Sequence, residues 1–220
     1  MKPYYQDASV TIYHGDCREV LPLIGSDALV VTDPPYGVNL RTSYATNKRS
    51  NLAASNDYAP VFGDDAPFDP SHLLGFAGSV LWGANYYANK LPPRGSWLVW
   101  DKRDGGTPDD GADAELAWVS GVSGTVPRLL RHKWRGIIKA SERNERRMHP
   151  TQKPVALMAW CLSFFPDSSR LVVDPYMGSG PTLRAAKDLC RRAIGIEIDE
   201  RYCEIAARRC SQETLDLGAA

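Results

Sequence analysis

Residues 171–182 read Leu-Val-Val-Asp-Pro-Tyr-Met-Gly-Ser-Gly-Pro-Thr, and this stretch decides the fold. Its apolar start predicts a buried strand over 171–173, and the residues from Thr182 to Cys190 predict a helix. Between the two, glycines allow a tight turn and a close approach of the backbone to a ligand. The start of the helix adds unpaired N–H groups. The stretch therefore predicts a ligand site between a strand and a helix.

An acidic residue ends the next predicted strand, which covers 193–196. This residue, Glu197, lies nineteen positions after Gly178. In α/β folds that bind nucleotide-type cofactors, a carboxylate at about this distance bonds the ribose hydroxyls. Position 183 is Leu, where the dinucleotide motif has its third glycine, and this counts against a pyrophosphate. We therefore expect a nucleoside-type cofactor without phosphates.

Strands and helices alternate through the rest of the chain. Further strands are predicted over 10–13, 28–32, 79–82 and 96–100, and further helices over 17–21, 71–77, 154–165 and 200–210. This alternation predicts an α/β fold with a doubly wound, mostly parallel sheet. The chain has 220 residues, of which 43% are hydrophobic and 24% charged, as in ordinary globular proteins. Without a linker or an internal repeat, we expect a single domain spanning 1–220.

A second motif, Asp33-Pro34-Pro35-Tyr36, directly follows the predicted strand 28–32. Open α/β sheets place ligands at this end of their strands. The Pro-Pro pair stiffens the turn and leaves the Pro34 carbonyl without an internal partner. Together with the Asp33 carboxylate, this carbonyl provides two adjacent acceptors, which match an NH2 group on an aromatic ring. Tyr36 adds a flat face for stacking; an ordinary turn after a strand is the alternative.

Charge is unevenly distributed along a chain that is neutral overall, with 26 basic and 26 acidic residues. Within 128–153, nine basic residues stand against only Glu142 and Glu145. Such an excess predicts a surface for a polyanion, and a solvated charged loop is the alternative. The long polar segment from Leu40 to Asp65 is expected to form a mobile loop.

Other classes of protein are disfavoured by simple counts. The five cysteines form no CxxC pair, which argues against disulfides and structural zinc and favours a reducing cytoplasm. The four histidines form no spaced set, so we expect no metal. The first residues lack the apolar run of a secretory signal, and no apolar stretch is long enough to span a membrane.

Three motifs together resemble one family, the amino-group DNA methyltransferases that use S-adenosylmethionine to methylate adenine N6 or cytosine N4. They are the DPPY motif at 33–36, the run His-Pro-Thr-Gln-Lys-Pro at 149–154, and the loop DPYMGSG at 174–180. Because DPPY comes first and the glycine loop last, the chain is similar to the circularly permuted β group. The resemblance covers residues 15–202 and implies the Rossmann-like methyltransferase fold.

The resemblance also implies the roles of individual residues. It makes Asp33, Pro34, Pro35 and Tyr36 catalytic. Asp16 and the amide of Cys17 would meet the adenine of the cofactor, and Glu197 its ribose. Cys17 is expected to be a small packing residue and not a nucleophile. The remaining residues assigned to S-adenosylmethionine, most of them at its methionine end, are Asp33, Thr151, Gln152, Lys153, Asp174, Met177, Gly178, Ser179, Gly180, Thr182 and Asp199.

The implied partner is double-stranded DNA, with the target base flipped out of the helix and stacked on Tyr36. A short target-recognition segment is expected around 120–148, and Trp134 there is predicted to pack beneath it rather than fill space near the base. The residues assigned to DNA are Lys48, Arg49, Arg131, Lys133, Arg135, Lys139, Arg143, Arg146 and Arg147.

The resemblance implies an enzyme of DNA methylation and restriction–modification, working as a monomer or homodimer in the cytoplasm of a prokaryotic or phage-infected cell. Many relatives of this size look phage-derived. The first Asp of DPPY favours adenine, since cytosine-N4 enzymes more often begin this motif with Ser.

Cytosine-N4 methylation stays an alternative, as do methylation of a protein glutamine and a non-catalytic DNA-binding module. The loop reads Gly-Ser-Gly-Pro-Thr where Gly-Ser-Gly-Thr-Thr is usual, and we expect Pro181 to be tolerated in the first helical turn.

Overall fold

The computed structural model describes residues 2–40, 60–105, 112–124, 126–135, 138–143, 148 and 151–212. The strands are β1 Tyr5–Gln6, β2 Val10–His14, β3 Leu29–Thr32, β4 Gly78–Trp82, β5 Ser96–Asp101, β6 Ala114–Ser120, β7 Arg128–Arg131, β8 Trp134–Arg135, β9 Ile138–Lys139, β10 Val172–Asp174 and β11 Ala193–Glu197. The helices are α1 Cys17–Val20, α2 Val155–Leu162, α3 Pro181–Asp188 and α4 Glu200–Ser211.

Nine of these strands form one sheet in the order β1-β2-β11-β10-β3-β4-β6-β5-β7, and β8 and β9 form a separate antiparallel pair. The five strands β2, β11, β10, β3 and β4 are parallel. Strand β6 runs antiparallel to both β4 and β5, and β1 runs antiparallel to β2. The mostly parallel α/β sheet predicted from the sequence is therefore confirmed.

Every predicted strand is present, and the predicted helices match within three residues except one. The prediction of a helix over 71–77 is wrong: the chain makes only a single 3₁₀ turn, Ser71–Leu73. Gly75 comes two residues after this turn and lowers the helix propensity of so short a segment. Leu73 is fully buried, so the turn anchors the chain before it enters β4.

The core consists of the strands together with α2, α3 and α4. Trp82 and Trp100 are almost completely buried and pack edge to face, with ring centroids 6.2 Å apart. In the dinucleotide motif, the third glycine lets the helix pack closely against the strand. Here Gly195, on β11, provides this space instead. A Cβ there would lie 2.6 Å from Leu183 Cδ2 and 2.4 Å from Met177 Sδ. The side chain of Leu183 therefore fits at the third-glycine position, because Gly195 on β11 leaves room for it.

The topology brings the predicted site residues to one edge of the sheet. Because β2, β11, β10 and β3 are parallel neighbours, their carboxyl ends meet at the same edge. Asp16, Glu197, Asp174 and Asp33 lie at or just beyond these four ends. Within the described ranges, no helix is long and apolar enough to cross a membrane.

Candidate active site

Two cavities lie on either side of the DPPY turn. The larger one, about 510 Å³, is lined by residues at the ends of β2, β3, β10 and β11. We call it the cofactor cavity, and its lining includes Asp16, Cys17, Arg18, Asp33, Pro35, Phe68, His72, Thr151, Tyr176, Gly178, Glu197, Asp199 and Tyr202. Its volume lies in the range of sites for small organic ligands.

Glu197 connects the glycine loop to the start of α4. Its Oε2 accepts a hydrogen bond from the N–H of Gly178 at 2.9 Å, and its Oε1 accepts one from the N–H of Asp199 at 2.9 Å. Burial raises the pKa of this carboxyl, although the backbone donors oppose the shift. Both oxygens keep further lone pairs, so the carboxylate can also accept from ribose hydroxyls.

Asp16 and Cys17 form the wall of the cofactor cavity after β2. Asp16 caps α1 by accepting from the N–H of Arg18 at 2.9 Å, and the Arg18 guanidinium keeps the pKa of this carboxyl low. Cys17 is 5% exposed, and burial raises the pKa of its thiol. A buried thiol with a raised pKa is a weak nucleophile, which agrees with the predicted packing role.

An aromatic wall faces these residues, and the sequence did not point to it. The Phe68 ring packs edge to face against Tyr176, with centroids 5.8 Å apart. The Nε2 atom of His72 lies 2.9 Å from the Tyr176 hydroxyl. These three side chains line the cofactor cavity and give it an aromatic wall against which a purine ring can pack.

Four residues assigned to the cofactor build the loop and do not line the large cavity. Asp174, Met177, Ser179 and Thr182 are each no more than 3% exposed, and they line only a passage of about 30 Å³. Asp174 accepts from the Thr32 hydroxyl at 2.6 Å, and burial raises its pKa to about 6. Gly180, at φ +77°, precedes α3 as its N-cap. These positions shape the loop that Gly178 presents to the cavity.

The second cavity, about 310 Å³, lies on the other side of the DPPY turn. We call it the base cavity, after the flipped base that the family resemblance predicts on Tyr36. Its lining includes Pro35, Tyr36, Asp64, Gly83, Asn85, Tyr86, Trp100, Lys102, Glu115, Trp134, Thr151, Gln152 and Lys153. Pro35 and Thr151 line both cavities.

Asp33 is held between these cavities by two donors. The Lys153 ammonium lies 2.5 Å from Asp33 Oδ2, and the Tyr36 hydroxyl donates to Oδ1. Burial raises the pKa of Asp33, and Lys153 opposes this shift. Among the described residues, no donor bonds to the neighbouring Pro34 carbonyl. The motif therefore presents the two adjacent acceptors that the sequence predicted.

Lys153 belongs to a chain of alternating charges in the base cavity. Its Nζ lies 3.1 Å from Glu115 Oε2, and Lys102 Nζ lies 2.7 Å from Glu115 Oε1. Burial disfavours the charge on Glu115, but the two lysines outweigh it and lower the pKa of Glu115 to about 2. Glu115, on β6, was missed because its position in the sequence gives no sign of this pairing.

Tyr36 is stacked face to face on Tyr86, with ring centroids 5.1 Å apart and planes 15° apart. Gly83, at φ +68°, makes room for Tyr36, since a Cβ there would lie 1.9 Å from the ring. A base that stacks on this face of Tyr36 must replace the Tyr86 ring. Tyr86 is 57% exposed, so it can turn outward without opening the core.

Asp64 holds the chain directly after DPPY, and sequence reasoning did not single it out. The side chain is 5% exposed and accepts four backbone hydrogen bonds. Its Oδ1 accepts from Tyr36 at 3.0 Å, Gly37 at 2.8 Å and Val38 at 3.3 Å, and its Oδ2 accepts from Leu40 at 2.6 Å. Residues 36–40 are thus arranged around one carboxylate.

The structure describes the side chains of four of the residues assigned to DNA. Arg131 and Arg143 are exposed, while Lys133 and Lys139 are partly buried. Lys139 Nζ lies 4.7 Å from the centre of the Trp134 ring. Trp134 is 3% exposed, as expected of a packing residue, but it also lines the base cavity, so the structure does not separate the two roles weighed for it. Lys48, Arg49, Arg146, Arg147 and the side chain of Arg135 lie outside the described residues.

The comparison with protein families decides the class of this chain. A family model described as DNA methylase matches residues 88–208, more than half of the sequence. The chain belongs to the DNA methylase family. The match includes the His-Pro-Thr-Gln-Lys-Pro run and the glycine loop, and the DPPY turn of this methylase lies outside it.

Two curated relatives align along nearly the whole methylase. It is 26% identical to the type II methyltransferase M.ScaI of Streptomyces caespitosus, covering 98% of this chain and 86% of the relative. It is 24% identical to the type II methyltransferase M.HinfI of Haemophilus influenzae, covering 95% of this chain and 70% of the relative.

Solved structures share the fold of the methylase. The PvuII DNA methyltransferase, described as cytosine-N4-specific, has a TM-score of 0.64 at 18% identity, covering 97% of this chain and 90% of that one. M1.HpyAVI in complex with SAM has a TM-score of 0.55 at 20% identity, covering 91% of this chain and 99% of that one. The methyltransferase fold expected from the three motifs is therefore confirmed.

Proposed function

We propose that this DNA methylase transfers a methyl group from S-adenosylmethionine to N6 of an adenine that is flipped out of double-stranded DNA. The family establishes methylation of an amino group in DNA, of the N6 or N4 type. The observation that carries the proposal is the position of Asp33, which lines the cofactor cavity and is held by two residues of the base cavity, Lys153 and Tyr36.

The cofactor cavity suits S-adenosylmethionine in shape and in chemistry. Glu197 lies where it can bond the ribose, and the wall of Phe68 and Tyr176 offers a surface for the adenine. Asp33 lines the same cavity, and its carboxylate would favour a ligand that carries positive charge. When bound, S-adenosylmethionine supplies an electrophilic methyl group on a positively charged sulfur. M1.HpyAVI, which shares the fold, has been solved in complex with SAM.

The residues around Asp33 make the base amine nucleophilic. The lone pair of an aromatic amine is delocalised into the ring, so the nitrogen is unreactive. Asp33 and the Pro34 carbonyl accept its two N–H bonds and favour a tetrahedral nitrogen with a localised lone pair. S-adenosylmethionine, held in the cofactor cavity, would supply the methyl group and keep the carbon–sulfur electron pair on its sulfur, while Asp33 would accept one proton of the amine and pass it to solvent. Positioning and electrostatics provide the acceleration.

Adenine is favoured over cytosine by the motif itself. The motif begins with Asp33, whereas cytosine-N4 enzymes more often begin it with Ser. The likeness to the PvuII enzyme, at 18% identity, concerns the fold alone. Tyr36 and Tyr86 provide the aromatic faces that a flipped purine needs.

The basic segment 128–153 is the part of the chain that would hold DNA next to the base cavity. Trp134 lies within this segment and lines the cavity, which supports a position of the segment beside it. Arg131 and Arg143 are exposed and can contact phosphates. We also assign five further residues to DNA contacts, on their positions in the sequence alone: Lys48, Arg49, Arg135, Arg146 and Arg147.

The relatives are named type II methyltransferases, which supports a role in restriction–modification in a bacterial or phage-infected cytoplasm. We further propose that residues 1–220 act as one domain, as a monomer or homodimer. The basic segment beside the cavity argues against a protein glutamine substrate, which would need no such charge.

Mass spectrometry of nucleosides from DNA treated with the enzyme and S-adenosylmethionine tests the proposal. We expect N6-methyladenine, and its position in the DNA then gives the recognised site. Asp33→Ala should abolish the product, whereas Asp65→Ala, at an exposed carboxylate nearby, should not. N4-methylcytosine would correct the base, and methylated protein without methylated DNA would overturn the proposal.

A further inference from the structure

The side-chain amide of Gln152 is a buried donor whose orientation is known. The residue is 5% exposed, and its Oε1 accepts from the N–H of Met148 at 2.9 Å. Because only the oxygen can accept, this bond fixes which end of the amide is which. The other end, Nε2, has no acceptor among the described residues. A buried donor without a partner is costly, so an acceptor from a ligand would compensate it.

The amide lies on the base side of the site. Gln152 lines the base cavity and the narrow passage of about 30 Å³ that Asp33 and the glycine loop also line. It is absent from the described lining of the cofactor cavity, where the sequence motifs had suggested it. A second buried donor, Trp134 Nε1, lines the base cavity and has no described partner either. The base cavity thus offers donors to a ligand rich in acceptors.

The neighbouring Lys153 cannot take this role without losing a contact. Its ammonium has three N–H bonds, and three acceptors surround it. They are Asp33 Oδ2 at 2.5 Å, Glu115 Oε2 at 3.1 Å and the Tyr36 hydroxyl at 3.2 Å. The Lys153 ammonium is therefore surrounded by three acceptors that it already contacts, whereas Gln152 Nε2 has no acceptor among the described residues.

We propose that Gln152 reads the target base by donating a hydrogen bond to the ring nitrogen next to its amine. This nitrogen is N1 of adenine or N3 of cytosine, and the inference rests on the proposed function of base methylation. Asp33 accepts the amine N–H beside it, because a carboxylate has about four acceptor positions and only two are used here.

This acceptor–donor pair selects the bases that carry an amine. Adenine and cytosine present an amine donor beside an unprotonated nitrogen, which complements Asp33 and Gln152. Guanine and thymine present a carbonyl beside an N–H group at the same edge. Their carbonyl would face the Asp33 carboxylate and their N–H would face the Gln152 amide, so like groups would meet.

The bond from Gln152 orients the base and does not activate it. Donation to the ring nitrogen draws electron density from the amine and does not make it more nucleophilic. Loss of the bond should therefore change KM, and the choice of base, more than kcat. An isolated defect in packing would not depend on a single atom of the base.

The test replaces that atom in the substrate of the unmodified enzyme. An oligonucleotide with the recognised site carries 1-deazaadenine at the target, or 3-deazacytosine if cytosine is the methylated base. We expect kcat/KM to fall about tenfold, mainly through KM. For an adenine target, 7-deazaadenine, which keeps N1, should be methylated within about threefold of adenine. Equal rates with 1-deazaadenine and adenine would overturn the proposal.

Variants then connect the effect to Gln152. On the natural base, Gln152→Met should have a kcat/KM about tenfold below that of the unmodified enzyme. Changing the substrate to the deaza base should then lower the kcat/KM of this variant by less than about twofold more. Gln152→Glu should be worse than Gln152→Met, because a second acceptor then faces the ring nitrogen. The affinity of Gln152→Met for S-adenosylmethionine should stay within about twofold. If Gln152→Met still loses about tenfold in kcat/KM on the deaza base, or if its affinity for S-adenosylmethionine falls about tenfold, the Gln152 amide binds another group and the proposal is wrong. The absence of any methylated base would instead refute the proposed function.

Discussion

Replacing Asp64 by Ala removes the acceptor around which residues 36–40 are arranged. Four backbone N–H groups lose their partner, and the three shortest bonds measure 2.6, 2.8 and 3.0 Å. Bonds to a charged acceptor contribute about 1.5–3 kcal/mol each, but N–H groups at a partly exposed turn can bond to water instead. We therefore expect the free energy of unfolding to fall by about 3 kcal/mol.

Asp64→Asn should cost less, about 1–2 kcal/mol. The amide keeps one oxygen, which can accept from Tyr36 and Gly37, but its NH2 group would face the N–H of Leu40. Asp65→Ala and Asp65→Asn are the matched controls, since the adjacent carboxylate is exposed. They should change the stability by less than about 0.5 kcal/mol.

Urea unfolding followed by fluorescence measures these differences, and methyl transfer at a temperature where each variant is folded gives a second measure. A turn that shifts by about 1 Å can cost on the order of a hundredfold in rate, so Asp64→Ala should lose activity beyond its loss of stability. If Asp64→Ala unfolds within 1 kcal/mol of Asp65→Ala, the turn after DPPY is held by something other than this carboxylate.

Three further outcomes are expected. Glu197→Gln should weaken binding of S-adenosylmethionine about 10- to 100-fold by calorimetry, because one of the two oxygens becomes a donor; unchanged affinity would place the ribose elsewhere. Arg131→Ala combined with Arg143→Ala should flatten the slope of log affinity for DNA against log salt by about two, and Arg208→Ala on α4 should leave it unchanged. The pKa of Asp174 is raised to about 6, so the folded state binds the proton of this carboxyl more tightly than the unfolded state does. Protonated Asp174 therefore contributes about 3 kcal/mol to the free energy of unfolding below pH ~4, and this contribution is lost as pH rises through 6. Urea titrations at several pH values should show no such fall in the free energy of unfolding for Asp174→Asn. If this free energy changes with pH in parallel for the variant and the unmodified protein, the pKa of Asp174 is not the cause.

Local sequence determined the framework of this site. The glycine loop, the DPPY turn and Glu197 are each recognisable because a strand ends there and the next residues cannot continue it. Parallel strands then bring these ends to one edge, so Asp16, Asp33 and Glu197 were placed near one another before the structure was known. The element bounds were predicted within a few residues for the same reason, except where Gly75 interrupts a short apolar run.

The sequence also carried the assignment of the family, since three motifs in order are specific. It could not say which ligand each residue of a motif contacts. The run at 149–154 suggested that Gln152 and Lys153 line the methionine end of the cofactor. In the structure both line the base cavity and also the narrow passage beside the glycine loop, and Lys153 reaches Glu115 on β6.

Tertiary structure alone decided the partners of the buried charges. Lys153 bonds Asp33 across 120 positions of sequence, and Asp64 collects the N–H groups of residues up to 28 positions away. No local pattern specifies such pairs, since a carboxylate takes its partner from whatever the packed chain brings within about 3 Å. The sequence by itself determined the strands, the turns and the chemistry available at their ends. Burial decided which donors are committed to the protein and which, like Gln152 Nε2, are left for a ligand.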